Sequence, residues 1–287
     1  MRKISFGSIS SFFSLSSLWF WVVLNFTLLI WIGIQSLKTT RELFSSPLSL
    51  PSIPQWKNYI DAWGVSGFGD AAFNTVVLST TCSALVVIFS APAAYVLARS
   101  KARSAEGLTS YFALGAAIPF QTIVVPLVAV SVWLQMSMNH VFGWWDSRIT
   151  LGVFYVALSL PFSVFLLTGY FRSLPGELEE AAMLDGASPL RAFWEVMMPV
   201  ARPALTTVFL LTFVGLWNET LLVLLLVPDP ELRTLPASLL NLYNTMQFTS
   251  NWGGLFAGVV ILVFPIVAIY IWVGRRITEG MTSGIGK

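Results

Sequence analysis

The chain has 287 residues, 56% of them hydrophobic and only 10% charged, with a mean hydropathy of +0.76 and a net charge of +2. A soluble domain carries about 25% charged residues, so this chain has too few polar groups to cover a water-facing surface, and lipid is the solvent that fits it. One cysteine (Cys82), one histidine (His140) and no run of Lys or Arg exclude an intrachain disulfide, a cysteine-rich metal site, a histidine-based triad and a nucleic-acid-binding face.

A membrane-crossing helix needs about 20 mostly apolar residues, each adding about 1.5 Å across a core roughly 30 Å thick. Backbone groups in lipid must be satisfied internally, so such runs predict helices, and here they are too continuous for barrel strands. The first span, about 15–37, follows a basic start at Arg2 and Lys3. Its apolar run is too long for a signal-peptide core and ends without a small-x-small cleavage site, so it reads as retained. Segment 38–71 is rich in Pro, Ser and Trp, and Pro47, Pro51 and Pro54 prevent a long helix. Spans two to four are expected at about 72–98, 108–135 and 149–170, span five at about 204–227 and span six at about 254–274. Pro92, Pro119, Pro126, Pro161 and Pro265 predict kinks or breaks, and Gly254 and Gly258 form a GxxxG spacing. The expected fold is therefore an all-α integral membrane protein, one domain of six spans over residues 1–287.

With the N-terminus inside, the inner segments hold Arg2, Lys3, Arg99, Lys101, Arg103, Arg172, Arg191, Arg202, Arg275, Arg276 and Lys287. The outer segments hold only Lys38, Arg41, Lys57, Arg148 and Arg233. That asymmetry predicts both termini on the cytoplasmic side.

The inner loop 171–203 has its own chemistry. Ser173 and Pro175 are expected to open a short helix, with Glu177, Glu179 and Glu180 near the positive end of its dipole and Gly186 ending it. Ser188 and Pro189 open a second helix, expected to set Leu190, Phe193, Trp194 and Met197 on one face against the membrane.

The run Glu180-Ala181-Ala182-x3-Gly186-x9-Val196-x-Met198-Pro199 resembles the EAA loop of ABC importer permeases, usually EAA-x3-G-x9-I-x-LP, with Val196 and Met198 as conservative departures. Asn74-Thr-Val-Val with Ala93-Ala-Tyr-Val-Leu-Ala-Arg99, and Trp217-Asn218-Glu219, are similar to elements of carbohydrate-type permeases. The end, Arg275 to Lys287, resembles the C-terminal tail of the maltose-transporter, MalG-like type. The resemblance implies a type I ABC importer permease in the bacterial inner membrane, itself not an enzyme. Its loop, at Glu180, Ala181, Ala182, Leu184, Asp185, Gly186, Ala187 and Ser188, would be the coupling helix seated in an ATPase subunit. It also implies a second, MalF-like permease, two ATPase subunits holding ATP and Mg, and an external solute-binding protein delivering a sugar or small glycoside.

Glu219 is the one acidic residue expected inside a span, where a charge is unfavourable by roughly 2.5–3.5 kcal/mol at the centre. It must face protein or water. With Trp217 and Asn218 it marks a possible substrate pathway, and a structural pairing with a neighbouring helix is the competing reading. Gln121 and Thr122 after Pro119, and Trp133, Trp144 and Trp145 near an outer boundary, read more simply as backbone-satisfying and interfacial residues. The alternatives left open are an ion-coupled secondary transporter and an ABC permease for a non-sugar solute.

Overall fold

Proline placement and polar caps, rather than hydropathy alone, decide where the helices stop. The computed structural model describes residues 6–64 and 67–282, with side chains for 14–64 and 67–271. Arg2, Lys3 and Lys287 lie outside the described residues, and so do the side chains of Arg275 and Arg276. The described residues are helical, without strands: α1 Phe6–Ser36, α2 Thr40–Ser45, α3 Lys57–Gly64, α4 Phe68–Arg99, α5 Arg103–Ala117, α6 Val124–Phe142 and α7 Ser147–Ser173. There follow α8 Glu177–Leu184, α9 Pro189–Ala192, a π turn Phe193–Met197, α10 Met198–Val200, α11 Arg202–Asn218, α12 Leu221–Leu226, α13 Leu235–Thr249 and α14 Trp252–Thr282.

Five helical stretches among the described residues are long and apolar enough to cross a bilayer: Ser14–Ser36, Phe68–Arg99, Phe120–Phe142, Ser147–Ser173 and Trp252–Ile271. A sixth is the pair Pro189–Val200 and Arg202–Asn218, bent by 71° at its junction. Of the five prolines expected to kink or break spans, only Pro119 coincides with a break. Pro126 lies in the first turn of α6, where its missing N–H has no intrahelical partner to lose, and helices α4, α7 and α14 run on through Pro92, Pro161 and Pro265. At Pro119 the preceding residue, Ile118, is held extended (φ −80°, ψ 117°), which ends α5 before a 3₁₀ turn at Phe120–Ile123 restarts the chain into α6. The apolar stretch at 108–135 is thus shared between two helices.

The described residues form two compact units. The first comprises the segments through Phe68 and Leu239–Phe264. Here α1 presents its apolar surface almost wholly unburied, as a lipid-facing helix does. Segment 38–64 is folded back on the end of α1 by polar contacts. Buried Lys38 donates from Nζ to the Ser46 and Pro47 carbonyls at 2.9 and 3.2 Å, and Asn58 Nδ2 donates to the Ser36 and Lys38 carbonyls at 2.8 and 2.9 Å. In lipid there is little hydrophobic force between helices, so close packing and hydrogen bonds hold them. The Gly254–Gly258 spacing serves that purpose, since a Cβ at Gly258 would collide with Leu242 Cδ2 of α13.

The second unit, Gly69–Ser238 with Pro265 onward, has two apolar clusters. One joins α4, α5 and α7 to the 189–208 region through small residues (Ala91, Ala94, Ala105, Ala201, Ala204) and the rings of Phe171 and Phe193. Tyr95 of α4 meets those rings at centroid distances of 5.7 and 4.8 Å. The other packs Cys82, Leu151 and Tyr155 against Leu216, Leu222 and Val223.

Candidate functional site

The loop 171–203 is built by three local devices. Ser173, expected to cap α8, is instead the last residue of α7, its hydroxyl donating to the Tyr170 carbonyl at 2.7 Å. Pro175 is the reason: it forces Leu174 into an extended conformation (φ −78°, ψ 136°), so the helix restarts only after Gly176. The far end of α8 closes in a Schellman turn. Ala187 N–H donates to the Ala182 carbonyl at 2.9 Å and Gly186 N–H to the Met183 carbonyl at 3.0 Å, with Gly186 at φ +86°, a conformation glycine adopts without a Cβ clash. Ser188 Oγ then accepts from Arg191 N–H at 3.3 Å and Pro189 takes the first position of α9.

The following helix departs from the expected single face. Phe193 and Met197 are buried, whereas Leu190 and Trp194 are 68% and 54% exposed. The π turn at Phe193–Met197 inserts one residue per turn and rotates the face, just ahead of Pro199, whose ring would clash with the carbonyl four residues back in a regular helix.

Glu180, Ala181, Met183, Leu184, Asp185, Gly186 and Ser188 are exposed, and Ala182 and Ala187 are half-buried. Leu184 is 88% exposed, an apolar knob between carboxylates. Glu179, which sequence reasoning left undistinguished from its neighbours, points the other way: its Oε1 accepts from Arg99 Nε at 2.6 Å, and Arg99 also donates from a terminal nitrogen to the Leu174 carbonyl at 3.2 Å. The only signal for this pair in the sequence is that Arg99 is the last residue of its helix.

The second polar site is a break between α11 and α12. Glu219 lies between the two helices, and its carboxylate accepts from Leu222 N–H at 2.8 Å, Val223 N–H at 3.4 Å and the Tyr155 hydroxyl at 2.9 Å. It thus accepts from the first amides of α12, which have no partner within their own helix, from the position just before the N-cap Thr220. Trp217 is buried at 3% exposure against Phe213, ring centroids 5.6 Å apart, so its faces are taken by helix packing and a sugar ring has no access to them here. Asn218 is exposed, with Nδ2 donating to the Val214 carbonyl at 2.8 Å. A cavity of about 290 Å³ opens beside the break, lined by Phe120, Tyr155, Ser159, Phe162, Thr212, Gly215 and Glu219 among others. Of the Trp217-Asn218-Glu219 run, only Glu219 lines it. Tyr155, Ser159 and Thr212 were not singled out from the sequence, where hydroxyl residues in apolar runs are too common to stand out. At the Pro119 break, Thr122 Oγ1 donates to the Pro119 carbonyl at 2.7 Å, the backbone-satisfying role expected of it. Trp145 packs with Phe142 and Trp144.

Residues 90–283 match the family described as binding-protein-dependent transport system inner membrane component. Among curated proteins, the chain is 34% identical to the diacetylchitobiose uptake system permease protein NgcG of Streptomyces coelicolor, over 92% of this chain and 85% of that protein. It is 31% identical to the trehalose transport system permease protein SugB of Mycobacterium tuberculosis (93% and 94%) and 32% identical to the sulfoquinovosyl glycerol transport system permease protein SmoH of Agrobacterium fabrum (89% and 86%). In fold it is similar to a chain from the crystal structure of a bacterial ABC transporter involved in the import of the acidic polysaccharide alginate, at TM-score 0.76, 21% identity, and coverage of 96% of this chain and 99% of that one. With the family matched over more than half its length, and relatives above 30% identity along most of it, this chain belongs to the inner membrane component family of binding-protein-dependent transport systems.

Proposed function

We propose that this chain is the non-catalytic permease subunit of an ABC importer for a carbohydrate or small glycoside, with both termini cytoplasmic. The relatives' solutes, diacetylchitobiose, trehalose and sulfoquinovosyl glycerol, share a glycosyl unit and support that substrate class. The observation that carries the mechanism is α8: a short helix closed by a glycine turn at its C-terminal end, with Glu180, Leu184 and Asp185 offered outward. An apolar knob flanked by carboxylates fits a cleft that is apolar at its floor and basic at its rim. Two separate ATPase subunits, which would hold ATP and Mg, supply that cleft in this reading, and a second, MalF-like permease completes the passage. The Schellman turn at Gly186 lets α8 turn sharply into α9 without lengthening the loop, so a displacement of α8 has a short path to the 71° elbow and α11.

On the solute side, Glu219, Tyr155, Ser159 and Thr212 place carboxylate and hydroxyl groups beside the Phe120 and Phe162 rings. That combination suits a polyol with apolar C–H faces. Each oxygen of a carboxyl group can accept more than one hydrogen bond, so Glu219 retains acceptor capacity beyond its three donors for a sugar hydroxyl.

The test is reconstitution of the complex with its ATPase subunits and binding protein, measuring ATP hydrolysis and uptake across a panel of diacetylchitobiose, trehalose and maltose. One sugar should stimulate both activities. Replacing Gly186 with alanine strains a left-handed position by about 1 kcal/mol and should lower stimulated uptake while the subunits still copurify. Full uptake by that variant, or hydrolysis indifferent to every sugar and to the binding protein, would sink the reading.

A further inference from the structure

An eight-residue helix joined to its neighbours by a proline-glycine link on one side and a glycine turn on the other would be expected to swivel. Chain connectivity alone gives α8 one hinge at Leu174–Gly176 and another at Asp185–Gly186. The structure opposes that freedom with a polar clamp at the end of α4. Arg99, the last residue of α4, uses Nε to hold Glu179 Oε1 at 2.6 Å and a terminal nitrogen to hold the Leu174 carbonyl at 3.2 Å. One guanidinium therefore clamps α8 and the end of α7 together onto the end of α4. The pair is shielded, with side-chain exposures of 22% for Arg99 and 11% for Glu179. It also rests on the apolar cluster that contains Phe171 and Phe193, against which Leu178 packs. The rigid fork of arginine suits this two-point grip in a way that a lysine ammonium does not.

We propose that Arg99 and Glu179 are positioning residues that make α8 move as one body with α4 and α7, so that a force on its exposed face reaches two membrane helices at once. The inference rests on the reading of α8 as the joint with the ATPase, and it assigns Glu179 a role opposite to that of Glu180: Glu179 holds the helix from within the chain, while Glu180 faces outward. Without the clamp, α8 would tilt about its two hinges, and part of each ATP-driven stroke would be absorbed in that tilt.

The experiment is a charge-reversal cycle in the complete reconstituted complex, reading solute moved per ATP hydrolysed, with copurification of the ATPase subunits and subunit yield read in parallel. Contacting residues show coupling that a double-mutant cycle isolates. Arg99→Glu and Glu179→Arg singly should each lower the transport-to-hydrolysis ratio by about tenfold, and the double reversal should bring it back to within about threefold of the parent. If a single reversal assembles poorly, the milder Arg99→Lys and Glu179→Gln variants carry the test, and each should lower the ratio in the complex that does assemble. A structural role alone would reduce yield but leave the ratio unchanged in assembled complex, and that result overturns the proposal. So does a double reversal no better than the worse single variant. If the parent complex itself shows no coupling between solute and hydrolysis, it is the proposed function that fails, which separates the two.

Discussion

Two carboxylates show how a single side chain fixes local structure in this chain. Glu219 holds the break between α11 and α12 by accepting from two α12 amides and Tyr155. Leaving buried donors unpaired costs about 1–3 kcal/mol each. Glu219→Leu should therefore lower the melting temperature of the purified complex clearly more than Glu219→Gln, which keeps one acceptor oxygen, and equal losses would argue against a capping role. Glu42 shows the same principle in segment 38–64. It closes a capping box with Thr39 and also receives Ser52 N–H at 3.1 Å. Hydrogen bonds from Ser52 and Thr39 favour the carboxylate and pull its pKa from 4.5 to about 2. Because the folded value is depressed, the stabilisation is complete above the ordinary value, shrinks as pH falls below 4.5 and is gone below about 2. Amide hydrogen exchange at Thr39, Glu42 and Ser52, corrected for intrinsic rate, should show protection at pH 7 that is diminished at pH 3 in the parent chain. In a Glu42→Gln variant that pH dependence should disappear.

At the scale of elements, the break at Glu219 and the one at Pro119 differ in how they can be read. Pro119 announces itself, because proline restricts the residue before it. The α11–α12 break has no proline or glycine at its corner, and Leu221–Leu226 is as apolar as any span, so hydropathy runs through it without a signal. Only the carboxylate in an apolar run hints that free amides are near. The π turn is hidden for a similar reason: Leu190, Phe193, Trp194 and Met197 have helical spacing, and the extra residue that parts them is a property of the turn, not of any one residue. The loop 171–203 was more legible because Gly186, Ser188 and Pro189 are punctuation with fixed geometry. The packing of α13 on α14 offers a direct check. Gly258→Ala drives a methyl into Leu242, which is fully buried and has little room to yield. Overpacking of this kind costs about 1–3 kcal/mol, so the variant should melt several degrees lower in detergent, and a compensating Leu242→Ala should recover part of the loss.

For the whole molecule, length and hydropathy matched four long apolar helices closely, but the expected third span falls across the Pro119 break and the fifth across the Glu219 break, and the way basic residues are used emerged only from the fold. Three of the five cations expected outside are turned onto the chain itself: Lys38 onto the Ser46 and Pro47 carbonyls, Arg148 onto Asp146 and Asn74, and Arg233 onto the Val227 and Pro228 carbonyls. No pattern in the sequence separates such tethered cations from solvated ones. The proposed orientation predicts that fluorescent-protein fusions at either terminus will fluoresce, whereas periplasmic phosphatase inserted after Pro54 or Asp229 will be active. The reverse pattern at either site would overturn it. Cys82 has a further practical consequence. It is 3% exposed, with Sγ facing the Gly152 carbonyl at 3.7 Å, and it is the sole thiol of the chain. The natural protein is thus nearly silent to water-soluble maleimides, so a spin label or dye placed at Leu184 or Asn218 would report from one known position without any native residue having to be removed.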